Sequence, residues 1–240
     1  MTEQAGLTVV TWNAQGSQGL DIAAAASALS EFKPDLVLLQ EVQRRQVGAL
    51  RLAMHATDAR WRFKHWPVKV PSEGLGVIST LPLHEVHSRA LAHPWELWNW
   101  RRRIAVHFAV EIGARVVRGI DVHLGAGIAP SERSRQARLL GSLASNAMLI
   151  GGDLNAEPQS EEFEVFADLG WSDAERRVHA DRPRPSTNWR GDPRVEPPTQ
   201  RLDYVLIRDS VEVVEAFVPE DWVRWAALSD HVPVVARLRV

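Results

Sequence analysis

The chain has 240 residues and a formal net charge of −2, with 45% hydrophobic and 24% charged residues. This composition is typical of a globular protein with a sizeable core, and the small net charge excludes a chain that binds polyanions through its overall charge. Cysteine is absent, which excludes disulfides, thiolate metal ligands and cysteine nucleophiles.

The hydrophobic pattern alternates short apolar runs with amphipathic segments. It predicts, in chain order, a strand at 7–13, a helix at 20–32, a strand at 35–42, a helix at 44–56, and strands at 61–70, 74–80 and 83–91. There follow strands at 103–112 and 115–124 that form a hairpin, a helix at 131–145 with Ser131 as its N-cap, a strand at 147–152, a helix at 160–170, a Pro- and Arg-rich loop at 172–201, and strands at 202–207, 211–218 and 232–240. We therefore predict one α/β domain over 1–240, built as a sandwich of two mixed sheets with functional loops at one rim.

No apolar run approaches the ~18 residues that a membrane helix needs. The first residues lack the basic region and the apolar region of a secretory signal. We therefore expect a cytoplasmic protein, and we expect it to be a monomer.

Polar residues follow the apolar strands at several places. An acidic residue also lies one position inside a strand, where it is disfavoured unless it has a partner. Each of these residues alone is explained by a turn or a cap, but together they supply the groups for phosphate ester hydrolysis. Carboxylates bind Mg²⁺ and orient or deprotonate water, and imidazole and amide groups stabilise charge on phosphoryl oxygens. The residues concerned are Asn13, Glu41, His123, Asp153, Asn155, Asp203, Asp230 and His231.

Zinc fits this set poorly, because cysteine is absent. His84 and His87 have a ligand-like spacing, but on a regular strand they would face opposite sides. We therefore expect no zinc site.

Seven motifs occur in the order TWNAQG, LLQEV, GLGVISTLPL, DVHL, GGDLNAEP, RLDYVLI and LSDHVPVVARL. The series spans residues 8–238 and resembles that of the endonuclease/exonuclease/phosphatase superfamily. That group includes pancreatic-type deoxyribonuclease, abasic-site endonucleases, neutral sphingomyelinases and inositol-polyphosphate phosphatases. The resemblance implies a four-layered α/β sandwich and a metal-assisted, in-line attack of water on phosphorus, with Mg²⁺ or Mn²⁺ as cofactor.

The resemblance also implies roles at the metal and at the attacking water. Glu41 resembles the principal metal ligand, with Asn13 beside it. Asp230 resembles a second acidic residue at the metal or its waters. Asp153 resembles the residue that aligns or deprotonates the attacking water, and Asn155 the amide that holds the scissile phosphate.

Two histidines match the groups around the phosphate. His231 resembles the imidazole that contacts a phosphoryl oxygen, and Asp203 the carboxylate that fixes its tautomer. An imidazolium beside a carboxylate keeps its proton more readily, which favours a cationic His231. His123 matches a histidine of the deoxyribonuclease and sphingomyelinase branches, and Glu73 is the candidate carboxylate that pairs with it.

Two loops rich in Trp and Arg, at 93–103 and 181–201, bear on the substrate. Indole and guanidinium groups suit stacking on bases and binding of phosphates, and they equally suit a membrane interface; alternatively, most of the tryptophans belong to the core. Trp222 and Trp225 either shape the rim of the site or pack beneath its loop. The candidate substrate-binding residues are Trp100, Arg101, Arg102 and Arg103.

Three functions therefore compete. The leading prediction is a metal-dependent phosphodiesterase that acts on DNA or RNA. The second is a phosphoesterase that acts on a phospholipid headgroup or a small phosphate ester. The third, a non-catalytic binding module of the same fold, is disfavoured because the metal-binding and water-activating residue types are all present.

Overall fold

Two six-stranded mixed sheets form the centre of the fold. The computed structural model describes residues 5–63, 73–91, 103–126, 129–183, 185–189, 191–193 and 195–240. The strands are β1 (Gly6–Asn13), β2 (Leu36–Val42), β3 (Asp58–Phe63), β4 (Gly74–Ser79), β5 (His84–Ala90), β6 (Ile104–Ile112), β7 (Arg115–His123), β8 (Leu149–Asp153), β9 (Ser172–Asp173), β10 (Asp203–Ile207), β11 (Glu212–Phe217) and β12 (Val234–Arg239). The helices are α1 (Ile22–Ser30), α2 (Arg44–Ala53), α3 (Pro130–Leu143), α4 (Glu161–Asp168), α5 (Ala174–Val178) and α6 (Trp222–Ala226), and a 3-10 turn covers Gly16–Gln18.

The strand order brings the polar strand ends to one rim. The first sheet has the order β11-β12-β1-β2-β4-β3 and the second β5-β6-β7-β8-β10-β9. Each sheet has one parallel pair, β1 with β2 and β7 with β8, and the remaining pairs are antiparallel. Parallel neighbours end at the same edge of a sheet. The ends of β1 and β2, the ends of β7 and β8, and the beginning of β10 therefore meet at one rim.

The predicted sandwich is confirmed, with helices outside both sheets. Alternate residues of β6 face inward, and Phe108, which is 1% exposed, lies in the core that the two sheets share. Burial of such a side chain contributes about 1.5–3 kcal/mol. Leu50 of α2 packs on the first sheet, and Leu140 of α3 and Phe166 of α4 pack on the second. Within the described residues, no helix is long and apolar enough to cross a membrane.

Three local predictions are wrong. The helix predicted at 131–145 begins with Pro130 after Ala129 as N-cap, so Ser131 is not the cap; proline suits the first turn because the amide hydrogen it lacks would have no helical partner. The segment predicted as loop at 172–201 contains β9 and α5. The strand predicted at 61–70 begins earlier, at Asp58, and its part after Phe63 lies outside the described residues.

The prediction for His84 and His87 is also wrong. A register shift between them pairs His84 with Ala109 and His87 with His107, so both histidines lie on the same face of the sheet. The shift occurs where Glu85 has a left-handed φ of 52°, and the extra residue of a β-bulge reverses the alternation of side chains. A regular strand would have placed the two histidines on opposite faces.

His107 makes the stability of the fold sensitive to pH. Burial, with the charges of His87 and Arg89, lowers the pKa of His107 to about 4. A histidine of the unfolded chain titrates near pH 6.5, so the unfolded chain binds the extra proton and stability falls as the pH falls from about 6.5 to 4. We expect the urea midpoint to drop more between pH 7 and pH 5 for the wild type than for His107→Phe, as measured by circular dichroism. Equal drops would contradict this assignment, and His84→Phe, at an exposed position, is the matched control.

Candidate active site

Asp153, the last residue of β8, lies at the centre of the site and is 1% exposed. Its Oδ2 accepts a hydrogen bond from Asn13 Nδ2 at 3.1 Å, and it lies 3.4 Å from His123 Nε2 and 3.9 Å from His231 Nε2. Its Oδ1 accepts a hydrogen bond from the backbone N–H of Asn155 at 2.9 Å. The strand ends thus bring four other predicted residues around the Asp153 carboxylate.

His231 and Asp203 form a buried pair beside this carboxylate. His231 Nδ1 lies 2.8 Å from Asp203 Oδ2, and Asp203 is opposite Asp153 in the pairing of β10 with β8. Two hydrogen bonds fix the segment that carries His231. Trp12 Nε1 donates to the carbonyl of His231 at 2.9 Å, and the Ser229 hydroxyl donates to the carbonyl of Asn13 at 2.7 Å.

Burial alone would lower the pKa of His231, but the carboxylate of Asp203, by its charge and its hydrogen bond, raises it to about 10. The charges of Asp153 and Asp230 act in the same direction. The imidazole therefore carries a positive charge at neutral pH, and its Nε2 is turned toward Asp153.

Glu41 and Asp230 lie on the other side of the site. His123 Nδ1 is 3.7 Å from Glu41 Oε1. Gln15 Nε2 donates to Asp230 Oδ2 at 3.0 Å, and the backbone N–H of Gln15 donates to Asn13 Oδ1 at 3.2 Å. Gln15 thereby joins two of the predicted metal ligands, and both it and Glu41 have left-handed backbones, with φ of 42° and 52°.

Two carboxylates of the site have raised pKa values. Burial, and then the charge of Asp203, raises the pKa of Asp153 to about 7. Burial also raises the pKa of Asp230; the charge of His231 opposes this shift, and that of Glu41 adds to it. Among the described residues, one group of three potential ligands has atoms close enough to hold a metal ion, and it consists of Asp153, Asp203 and His231.

The sequence profile of the endonuclease/exonuclease/phosphatase family matches residues 10–231 and so includes every residue of this site. The chain belongs to the endonuclease/exonuclease/phosphatase family. Members of this family are hydrolases. No curated protein sequence matches the chain.

Solved structures of family members share the fold. An endonuclease/exonuclease/phosphatase from Beutenbergia cavernae DSM 12333 has 21% sequence identity and a TM-score of 0.78, covering 98% of this chain and 72% of that one. The mannosyl-6-phosphatase Bt3783 of Bacteroides thetaiotaomicron VPI-5482 has 19% identity and a TM-score of 0.77, with coverages of 97% and 99%. The human nocturnin catalytic domain has 20% identity and a TM-score of 0.74, with coverages of 98% and 95%. At these identities the similarity shows the fold alone, and a fold does not by itself select a substrate.

Sequence reasoning missed two residues of this family site. The side-chain amide of Asn188 lies 2.9 Å from His231 Nε2 and donates to the carbonyl of Asp230 at 3.1 Å. Asn188 comes from the segment predicted as loop, where no periodic pattern indicates a contact. Gln15 lies inside the TWNAQG motif, two residues after Asn13, and this position could have indicated that it belongs to the site. Its contact with Asp230 could not be predicted in this way, because the two residues are 215 positions apart in the sequence.

The roles of the candidate substrate-binding residues stay predictions. Trp100, Arg101 and Arg102 lie outside the described residues. Arg103 is buried directly before β6, and its carbonyl accepts a hydrogen bond from the backbone N–H of Leu91 at 2.8 Å. Glu73 is half-buried directly before β4, and its pairing with His123 stays a prediction.

Trp225 packs beneath the Asp230–His231 loop and does not shape its rim. It is 2% exposed, and its ring centroid lies 5.5 Å from that of Trp12 and 6.0 Å from that of Phe32. Trp222 is partly buried and contacts Trp189, with ring centroids 6.3 Å apart. Of the two alternatives for Trp225, packing beneath the loop is therefore correct.

Proposed function

We propose that this chain is a phosphodiester hydrolase that acts on DNA or RNA and uses Mg²⁺ or Mn²⁺. The observation that carries the proposal is the buried His231–Asp203 pair, 2.8 Å apart, beside the Asp153 carboxylate at the strand ends. This arrangement supplies a fixed cationic hydrogen-bond donor next to a group that can take a proton from water. Both groups would promote an in-line attack of water on phosphorus.

The residues fit a hard divalent cation. Asn13, Glu41 and Asp230 offer oxygen atoms, which Mg²⁺ and Mn²⁺ prefer. Burial raises the pKa of Asp230, and the charge of Glu41 adds to this shift; a cation held by both carboxylates would offset the two effects. When bound, the cation supplies positive charge for the phosphoryl oxygens and lowers the pKa of a bound water.

The group of Asp153, Asp203 and His231 fits a metal less well. His231 Nδ1 and Asp203 Oδ2 are already bonded to each other at 2.8 Å, so a metal between them would replace that bond. We therefore assign the metal to the oxygen set that includes Glu41 and the proton chemistry to this group.

In the proposed reaction, Asp153 aligns the attacking water and accepts its proton as the new oxygen–phosphorus bond forms. A pKa of about 7, raised first by burial, suits a base that works near neutral pH. His231 Nε2 donates to a phosphoryl oxygen, while Asp203 holds the ring through Nδ1. The Asn155 amide holds the phosphate, and the bond to the leaving ester oxygen breaks on the opposite side.

A substrate panel tests the proposal. The purified chain is assayed on supercoiled plasmid, a single-stranded oligonucleotide, an abasic duplex, sphingomyelin and bis-p-nitrophenyl phosphate, each with Mg²⁺ and with EDTA. We expect hydrolysis of a nucleic acid with Mg²⁺, its loss in EDTA, and steep inhibition by salt, because binding of phosphates releases counterions.

The same panel separates the alternatives. Hydrolysis of sphingomyelin or of a small phosphate ester, without nuclease activity, would contradict a nucleic-acid substrate. It would support the second candidate function, a phosphoesterase that acts on a phospholipid headgroup or a small phosphate ester. The structural similarity to a mannosyl-6-phosphatase makes that candidate worth testing. No hydrolysis of any ester and no binding of Mn²⁺ by calorimetry would contradict the enzymatic function itself.

A further inference from the structure

A groove of about 570 Å³ runs between α2 and β3. Its volume is in the range of sites that hold small ligands. We call it the α2–β3 groove, and four of the nine described residues that line it are arginines, while none is acidic. The lining residues are Arg44, Val47, Gly48, Arg51, Ala59, Arg60, Trp61, Arg62 and Phe63.

The two walls of the groove differ in chemistry. Arg44 and Arg51 lie two helical turns apart on α2, so they follow the same side of the helix. Trp61 and Phe63 lie on β3, with ring centroids 5.9 Å apart. The groove thus pairs cationic groups on the helix with aromatic rings on the strand.

The other two arginines bind protein groups. Arg60 forms an ion pair with Asp58, and Arg62 donates to the carbonyl of Val86 at 3.0 Å. Arg44 is exposed, and Arg51 donates through one nitrogen to the carbonyl of Ala56 at 3.3 Å. The helix arginines therefore have the greater capacity to bind an anion.

One end of the groove lies at the rim of the first sheet that carries Asn13 and Glu41. Arg44 follows Glu41 by three residues, and Trp61 Nε1 donates to the carbonyl of Val42 at 2.9 Å. Gln46, in the first turn of α2, donates to the carbonyl of Gly16 at 2.8 Å, in the turn that follows Asn13. A chain bound at the metal ligands would reach the groove at this end.

Gly48 gives the groove its open floor. It lies in the interior of α2, where glycine costs up to about 1 kcal/mol relative to alanine, and it is exposed. A Cβ added at this position meets no atom within 4 Å, so packing in the described structure does not require a glycine. The close approach of a ligand would explain it.

We propose that the α2–β3 groove binds single-stranded nucleic acid that continues from the scissile phosphate, a proposal that rests on the proposed nuclease function. Arg44 and Arg51 hold backbone phosphates, and bases stack on the exposed parts of the half-buried Trp61 and Phe63 rings. Grooves that combine a cationic wall with aromatic rings are typical of single-strand binding. A duplex fits less well, because its paired bases are stacked on each other and do not offer their faces to the rings.

Binding of a fluorescein-labelled twelve-nucleotide single strand, measured by anisotropy in EDTA, tests the proposal. We expect the double variant Arg44→Gln/Arg51→Gln to bind about tenfold or more weakly. The slope of log K against log salt should fall by roughly 1.4, or about 0.7 for each lost phosphate contact. Arg45→Gln is the matched control, because Arg45 is exposed on the same helix, does not line the groove and bonds to Gln43.

Substitution of Gly48 provides a second test. In this variant stability is expected to rise, so that a loss of affinity cannot be caused by misfolding. Gly48→Gln places a long side chain on the floor of the groove and improves helix propensity. We expect its urea midpoint to rise while its affinity for the oligonucleotide falls about fivefold or more. Gly48→Ala should raise the midpoint with a smaller loss of affinity.

The proposal is overturned if the Arg44/Arg51 variant binds the oligonucleotide as well as Arg45→Gln does, or if Gly48→Gln binds like the wild type. Vesicles of phosphatidylserine test whether the groove binds a membrane instead. The proposal is also overturned if the Arg44/Arg51 variant loses binding to these vesicles but keeps binding to the oligonucleotide. Hydrolysis of bis-p-nitrophenyl phosphate by the wild type with Mg²⁺ reports separately on the catalytic centre, so failure of the groove leaves the hydrolase proposal standing.

Discussion

Asp153→Asn is expected to lower kcat/KM for phosphodiester hydrolysis by about 10²- to 10⁴-fold, the usual contribution of a positioned general base. Asparagine has the same shape, but its amide cannot accept a proton from water. Asp153 Oδ2 lies 3.1 Å from Asn13 Nδ2, beside the proposed metal ligands, so the loss would reflect both proton transfer and water alignment. Initial rates with saturating Mg²⁺ on the best substrate of the panel measure the effect.

The same variant should be more stable than the wild type at neutral pH in EDTA. The pKa of Asp153 is raised, first by burial, to about 7 in the folded chain, above its ordinary value of 3.8. The folded chain therefore binds more protons than the unfolded chain between pH 3.8 and 7, and stability falls as the pH rises through that window. A neutral amide avoids this cost, so its urea midpoint at pH 7 should rise.

A matched control separates the local effect from the loss of one charge. Asp168→Asn makes the same chemical change at an exposed position at the end of α4, and it should leave both the rate and the midpoint nearly unchanged. Retention of more than about a third of wild-type activity by Asp153→Asn would show that another group activates the water.

The sandwich and most of its strands were predictable because burial imposes a short-range pattern. A strand such as β2, with six of its seven residues buried, must be apolar along nearly its whole length, and this is visible in the sequence. The polar residues at the ends of β1, β2, β7 and β8 were visible for the same reason, because each interrupts or ends an apolar run. The sequence order of the motifs then indicated that these ends belong together.

The features that could not be predicted from the sequence depend on contacts between residues far apart in the chain or on local backbone geometry. Asn188 reaches His231 across 43 residues through isolated bridge pairing, which no local pattern encodes. The bulge at Glu85 depends on a single backbone angle, and that angle reversed the predicted orientation of His87 relative to His84.

A buried polar contact between the sheets was also missed. Gln40 Nε2 donates to Asp121 Oδ1 at 2.7 Å and to the hydroxyl of Thr11 at 3.1 Å. Burial raises the pKa of Asp121 well above its ordinary value, and the hydrogen bond from Gln40 opposes this shift. In sequence, Gln40 and Asp121 read as interruptions of apolar strands, and their pairing across the two sheets follows only from the packing of β2 on β7.

His231→Ala and Asp203→Asn are each expected to lower turnover by about 10²-fold or more, the usual effect of removing a positioned donor to a reacting oxyanion. The two residues act as one unit, because Asp203 contributes through Nδ1 of the His231 ring. The double variant should therefore lose little more activity than the larger single loss, and its effects should not add. Turnover of all three variants at saturating Mg²⁺ measures this coupling, and retention of activity within about threefold in both single variants would contradict the assignment.

The pH profile distinguishes a role in charge from a role in folding. Burial alone lowers the pKa of His231, and the Asp203 carboxylate is the main group that raises it to about 10. Without that charge the ring loses its proton at a lower pH, so the alkaline limb of kcat/KM should move to lower pH in Asp203→Asn. Asp203→Glu, which keeps the negative charge, should retain the position of the limb even if its rate is lower. A purely structural defect in Asp203→Asn would lower kcat/KM at every pH and would not move the alkaline limb. That outcome would contradict the proposal that the charge of Asp203 keeps His231 protonated.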